Sequence, residues 1–102
     1  MVNVELKNKI KDMHLKLDAD THIVGILTME ELAELQQAIS KYLRNFMNVD
    51  YSTIMSDKCI EEIADVLIMI ERIKIELGIS DKLVENAIEY KINRTYKRYL
   101  NK

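Results

Sequence analysis

The sequence predicts an all-α protein with a fold like a four-helix bundle. Its 102 residues include two glycines and no proline, which leaves few signals for turns and favours long helices with short connections. Apolar residues recur at intervals of three or four along most of the chain. Hydrophobic residues make up 48% and charged residues 31%, which is ordinary for a soluble helical protein. We therefore expect residues 1–102 to form one helical domain.

Two helices are predicted in the first half of the chain. The first covers residues 4–17, and the second starts near Thr21. A capping box at Thr28 and Glu31 offers another start, but helical apolar spacing continues backwards to Ile23 and favours the earlier one. The second helix is expected to face the core through Leu32, Leu35, Ile39, Tyr42, Leu43 and Phe46.

Two more helices are predicted in the second half. Residues 45–57 lose the helical period and are rich in Asn, Asp and Ser, so they are expected to form a connection. A central helix over 59–77 is capped by Ser56 or Asp57 and ends at Gly78, a left-handed C′ residue. Ser80 caps the last helix. That helix is expected to turn Leu83, Val84, Ala87, Ile88 and Ile92 toward the core.

The central helix is apolar around nearly its whole circumference, which is typical of a helix that is covered on all sides. Three partner helices of one small chain can hardly cover it. We therefore expect a homodimer or a homotetramer that buries the remaining face.

Composition excludes several classes of protein. A net charge of −2 argues against a basic surface for a nucleic acid polymer. The single cysteine, Cys59, rules out an internal disulfide and a cysteine-built zinc site, and it suits a reducing compartment. The chain has no stretch that reads as a signal peptide or as about 18 uncharged apolar residues in a row, so we expect no membrane association and a cytoplasmic location.

Two carboxylates lie inside the most apolar segment, CIEEIADVLIMIERIKIEL at residues 59–77. Glu62 and Asp65 lie roughly 60° apart on a helical wheel. They share a stripe, expected to be buried, with Val66, Met69 and Ile73. Buried carboxylates are costly unless a cation or a metal pairs with them or they take up a proton. A counter-charge is therefore expected.

A second acidic pair, Glu31 with Glu34, has the same i, i+3 spacing on the second helix. A single pair of this kind usually lies on a solvated face, as expected here for Glu30 and Glu61. Two pairs on two adjacent helices would bring four carboxylates together. Such an all-oxygen cluster selects Mg²⁺, with Mn²⁺ as the alternative, over zinc.

The two histidines do not extend this cluster. His14 and His22 do not lie three residues after a glutamate, so the Glu-x-x-His pattern of a di-iron bundle is missing. Both are expected to be polar surface or rim residues.

Basic residues follow the acidic pairs. Lys41 and Arg44 lie on the second helix, and Lys91 and Arg94 open the run KINRTYKR on the last. Cations near the end of a helix also complement its macrodipole, which is the structural alternative. Together with a carboxylate-held metal, they are suited to bind a polyphosphate.

The motifs EELAEL at residues 30–35 and EEIADVLIMI at residues 61–70 resemble the EExxE and ExxD signature of the MazG-like all-α nucleoside triphosphate pyrophosphohydrolases. The resemblance covers roughly residues 21–98. It implies an oligomeric helical bundle that uses Mg²⁺ to cleave a nucleoside triphosphate into the monophosphate and pyrophosphate. Carried over, the metal-binding and catalytic residues are Glu31, Glu34, Glu62 and Asp65. Lys91 and Arg94 match the family's phosphate contacts, and Lys41 and Arg44 are further candidates.

Two alternatives stay open. The same chemistry could act on another substrate, as in the phosphoribosyl-ATP pyrophosphohydrolases of histidine synthesis. The chain could also be a non-catalytic helical interaction module with solvated acidic pairs and an apolar docking helix.

Overall fold

The computed structural model of the chain describes residues 2–45, 47 and 49–100, with the backbone alone over 49–55. Within these residues the chain forms four α-helices and no strand: α1 (Val4–Leu17), α2 (Thr21–Asn45), α3 (Val49–Leu77) and α4 (Asp81–Tyr99). The all-α prediction is confirmed. In this part of the chain no helix combines the length and the hydropathy that a membrane crossing requires.

The start of α2 settles the choice between two possible caps. The helix begins at Thr21, and the side chain of Asp20 accepts a hydrogen bond of 2.8 Å from the backbone N–H of Ile23. Thr28 lies inside the helix, where its hydroxyl donates to the carbonyl oxygen of Val24 at 2.7 Å. The earlier start is therefore confirmed.

The connection between α3 and α4 also follows the sequence. Gly78 has a φ of +67°, and Ser80 is the N-cap of α4, as predicted. The prediction for residues 45–57 is wrong over most of its length, because α3 already begins at Val49. Ser56 and Asp57 therefore lie inside the helix and do not cap it. Between Gly25 and Gly78 the chain contains neither of the two strong helix breakers, glycine and proline.

Helices α2 and α3 form an antiparallel hairpin. Thr21 at the start of α2 donates a 3.4 Å hydrogen bond to Glu76 near the end of α3. The buried apolar core is small and consists of Val24, Ala38, Val66 and Met69. The predicted seam of α2 is only partly covered: Leu35 and Tyr42 are half-buried, Leu32, Ile39 and Leu43 are exposed, and Phe46 lies outside the described residues.

A polar network joins α1 to α3. Arg72 is buried and donates a 3.0 Å hydrogen bond from Nε to Nδ1 of His14, which is only 4% exposed. Nε2 of the same imidazole lies 3.5 Å from Oε2 of Glu76. Because Nδ1 accepts a hydrogen bond, the network assigns the neutral tautomer with its proton on Nε2. The prediction that His14 lies at the surface is wrong, whereas His22 is exposed as expected.

Helix α4 departs from the predicted bundle. In the described part of the chain it packs against none of the other helices. Leu83 and Ile88, which were expected in the core, are 62% and 47% exposed. Only its first residue is anchored, since Asp81 forms ion pairs with Lys7 of α1 and Lys74 of α3. A single chain is thus a three-helix unit with a projecting fourth helix.

Candidate metal centre

The α2–α3 hairpin brings three carboxylates together. Glu31, Glu62 and Asp65 each contribute one carboxylate oxygen to a group in which all three oxygens lie within 4.8 Å of one another. In an antiparallel hairpin, residues early in α2 lie beside residues late in α3, so the two acidic motifs meet. The predicted convergence of the two pairs is therefore present for three of the four residues.

The three carboxylates differ in exposure. Glu62 is 3% exposed, Glu31 is half-buried, and Asp65 is exposed. The expectation that Asp65 is buried is wrong for the single chain. Its offset of roughly 60° from Glu62 carries it out of the α2–α3 contact. Glu30 and Glu61, the first residues of the two motifs, are exposed as predicted.

Lys58 supplies part of the counter-charge and was missed by the sequence analysis. Its Nζ lies 2.9 Å from Oε1 of Glu62 and 3.9 Å from Oε2 of Glu61. The hydrogen bond to Glu62 is the main reason why the pKa of Lys58 is raised. Lys58 precedes Glu62 by four residues, which places both side chains on one helix face, so this spacing was the available signal.

Two carboxylate oxygens in the cluster have no partner in the part of the chain that the structure describes. Oε2 of Glu31 and Oε2 of Glu62 are buried and have no hydrogen-bond partner among the described residues. Such atoms are costly because they have lost water without gaining a donor. Two unpartnered buried oxygens beside a third carboxylate are suited to a hard divalent cation, so the residues present fit the predicted metal.

The pKa of Glu31 reports the same electrostatic strain. Burial raises it above its ordinary value of 4.5, and repulsion from Glu34 and Asp65 raises it further. The neighbouring Glu34 carboxyl thereby favours the protonated form of Glu31. The cluster thus holds more negative charge than Lys58 neutralises.

An open cleft of about 350 Å³ lies beside the cluster. Glu34 and Lys41 of α2 line one side, and Lys58 and Glu62 of α3 line the other. Glu34 is exposed and lies outside the three-oxygen group, but it interacts with both Glu31 and Lys58. Of the predicted basic residues, Lys41 therefore lies next to the acidic cluster. Arg44 lines a neighbouring groove along α2, which it shares with Lys41.

Lys91 and Arg94 lie apart from this cleft within one chain. Both are exposed on α4, which does not pack against α2 or α3. The guanidinium carbon of Arg94 lies 5.9 Å from the centre of the Tyr90 ring, a cation–π contact within α4 itself. A single chain therefore does not bring the predicted phosphate contacts on α4 to the carboxylates.

No protein-family model, curated protein or solved structure matches this chain. The resemblance to the MazG-like enzymes therefore stays a prediction that rests on the two acidic motifs.

Proposed function

We propose that this chain is a MazG-like, Mg²⁺-dependent nucleoside triphosphate pyrophosphohydrolase that removes unwanted nucleotides from the pool. One observation carries the proposal: carboxylates from both predicted motifs converge, and two of their buried oxygens have no hydrogen-bond partner among the described residues. A cluster with this arrangement gains stability when a divalent cation binds.

Glu31, Glu62 and Asp65 would hold the Mg²⁺, and Mn²⁺ fits the same donors. Glu34 would complete the set by a change of rotamer, since it is exposed and already interacts with Glu31. The ion, when bound, supplies positive charge that polarises phosphate oxygens and lowers the pKa of a bound water.

The residues around the cleft have separate roles in the reaction. If Glu62 held the cation, the ammonium group of Lys58 would be free to contact phosphate oxygens together with Lys41. A water oxygen bonds to the α-phosphorus, and the bond from this phosphorus to the oxygen that bridges to the β-phosphate breaks. Pyrophosphate leaves with that oxygen, and a carboxylate of the set takes the proton of the water.

The proposal includes a homodimer or homotetramer in the cytoplasm. Lys91 and Arg94 would then contact a substrate that is bound to a neighbouring copy, because α4 does not pack against the helices of its own chain. The single cysteine agrees with a reducing compartment.

Pyrophosphate release from a panel of canonical and damaged NTPs and dNTPs, together with phosphoribosyl-ATP, tests the proposal. We expect Mg²⁺-dependent turnover that Glu62→Gln and Asp65→Asn reduce by at least about 1,000-fold, because each removes a charged ligand. Glu61→Gln is the matched control, since Glu61 is an exposed neighbour on the same helix. Wild-type-like activity in Glu62→Gln or Asp65→Asn would refute the ligand assignment. Turnover of phosphoribosyl-ATP alone would point to the related activity in histidine synthesis.

A non-catalytic interaction module is the second candidate. The 2.9 Å ion pair between Lys58 and Glu62 favours it, because this pair compensates a buried carboxylate without a metal. Calorimetry with Mg²⁺ and a non-hydrolysable nucleotide separates the two candidates. The enzyme binds the nucleotide in a Mg²⁺-dependent manner, and the module does not.

A further inference from the structure

A single copy exposes too much surface for a compact monomer. Its accessible surface is 7991 Å², whereas a folded monomer of 12.0 kDa is expected to expose about 6,000 Å². Its radius of gyration is 16.7 Å, against about 13 Å for a compact chain of this length. The surplus of about 2,000 Å² per copy is of the size that an obligate dimer buries.

Two separate apolar surfaces contribute to the surplus. One is a stripe on α4 with residues at intervals of three or four: Val84, Ile88, Ile92, Tyr96 and Tyr99. The other is an open groove of about 390 Å³ between α1 and α3. The groove is lined by Leu6, Ile10, Met13, Ala64, Leu67 and Ile68, with Val2 and Lys9 at its edge.

The connection between α3 and α4 keeps these surfaces apart within one chain. Gly78 ends α3 in the left-handed conformation, and Asp81 is held by Lys7 and Lys74 at the start of α4. In the described part of the chain, α4 packs against neither α1 nor α3, the two helices that form the groove. Most of the stability of a helix in a protein comes from packing of its apolar face, so the unpacked stripe of α4 calls for a partner surface.

We propose that α4 of one copy packs its apolar stripe into the α1–α3 groove of a second copy, and that the exchange is reciprocal. A second copy is the one partner that offers both surfaces at once, and a two-fold arrangement satisfies both with the same contact. This packing defines where the copies join and does not depend on catalysis.

The exchange also relates α4 to the acidic cluster. Ala64 and Ile68 of the groove lie one residue before and three residues after Asp65 on α3. Lys91 and Arg94 flank the apolar stripe of α4. A docked α4 thus presents a basic edge to the acidic side of its partner, and this contact rests on the proposed function.

Light scattering after size-exclusion chromatography gives the first test. We expect the wild type to be a dimer or an even-numbered assembly. Ile88→Asp is expected to weaken its dissociation constant at least about 100-fold, because a charge enters the apolar contact. Asn86→Asp is the matched control on the opposite face of α4 and leaves the assembly unchanged. Circular dichroism checks that the variants stay helical. A monomeric wild type, or an Ile88→Asp variant that assembles as well as the wild type, would overturn the proposal.

Cross-linking with a short bis-maleimide identifies the surfaces. In a Cys59→Ser background, one preparation carries Leu6→Cys and the other carries Ile88→Cys, so any link between them joins two copies. We expect a cross-linked heterodimer after the two are mixed, and none when Asn86→Cys replaces Ile88→Cys. An equal yield for both α4 positions would show that α4 does not dock through its stripe. Mg²⁺ calorimetry on Ile88→Asp separates this proposal from the metal site, because cation binding to Glu31 and Glu62 does not require the exchange.

Discussion

Replacing Glu31 by glutamine tests the electrostatic account of the acidic cluster. The substitution keeps the shape of the side chain and removes one of three charges whose oxygens lie within 4.8 Å of one another. Two unit charges at 4.8 Å repel by about 3.5 kcal/mol at an effective dielectric constant of about 20, and by about 0.9 kcal/mol in water. Because Glu31 is half-buried and Asp65 is exposed, we expect a gain near the lower value, about 1 kcal/mol for the metal-free protein.

Thermal unfolding with chelator and with Mg²⁺ measures both effects of this substitution. A gain of about 1 kcal/mol raises Tm by about 4–8 °C in a domain of this size. Mg²⁺ at about 100 times its Kd is expected to stabilise the wild type by about 2.7 kcal/mol, and this response is lost in Glu31→Gln. Glu30→Gln, on the exposed side of the same helix, changes neither quantity. A wild type that does not respond to Mg²⁺ or Mn²⁺, or a Glu31→Gln variant that is less stable in chelator, would refute the reasoning.

Three further predictions concern pH, the buried network and the two glycines. The folded state holds the pKa of Glu31 above its ordinary value of 4.5, so it binds more protons than the unfolded state. The stability that protonated Glu31 contributes to the metal-free protein is therefore fully present below pH 4.5 and is lost as pH rises through its folded-state pKa. Tm against pH should show this loss in chelator, and Mg²⁺ should reduce it. His14→Ala leaves Nε of buried Arg72 without its acceptor, so it should lower the free energy of unfolding in urea by about 3 kcal/mol. A urea midpoint like that of the wild type would contradict the network. Gly78→Ala should lower the free energy of unfolding by about 1 kcal/mol, because φ at this position is +67°. Gly25 lies inside α2 with open space around it, so Gly25→Ala should raise the free energy of unfolding by about 0.5–1 kcal/mol. Equal effects of the two substitutions on urea unfolding would rule out this backbone argument.

The local signals in the sequence are reliable where chemistry fixes the backbone. Gly78 and Ser80 act at the end of α3 and the start of α4 as expected, because a left-handed C′ residue and an N-cap side chain are local devices. The wrong prediction of a connection over residues 45–57 also has a local cause. Asn, Asp and Ser lower helix propensity by only a few tenths of a kcal/mol each, and without glycine or proline this is too little to keep residues 49–57 out of a helix.

The candidate site was partly predictable for a similar reason. The i, i+3 spacing places Glu62 and Asp65 on neighbouring positions of α3, and a short connection makes α2 its antiparallel partner. The pattern does not fix how far each side chain is covered, so the exposure of Asp65 was missed. Whether α4 packs on its own chain or on another is likewise not encoded in its periodicity, which is the same in both cases.

The buried Arg72 could have been found by extending one pattern. The stripe of α3 that contains Asp65 and Met69 continues to Arg72 and Glu76 at intervals of three and four. Beyond Asp65, only apolar members of this stripe were assigned, so the cation and the acid that connect α3 to α1 were missed.

The same stripe has a consequence for how the three packed helices are aligned. A shift of one helix by a single residue moves each side chain about 1.5 Å along the axis and about 100° around it. Such a shift would break the hydrogen bond between Arg72 and His14 and the one between Thr21 and Glu76. Apolar neighbours such as Val66 and Met69 tolerate a slip better, because contacts between methyl groups have no direction. The ionic groups along α3 thus fix the register of the helices. They select one of several packing arrangements that the apolar residues alone would allow, and they set the distance between Glu31 and Glu62.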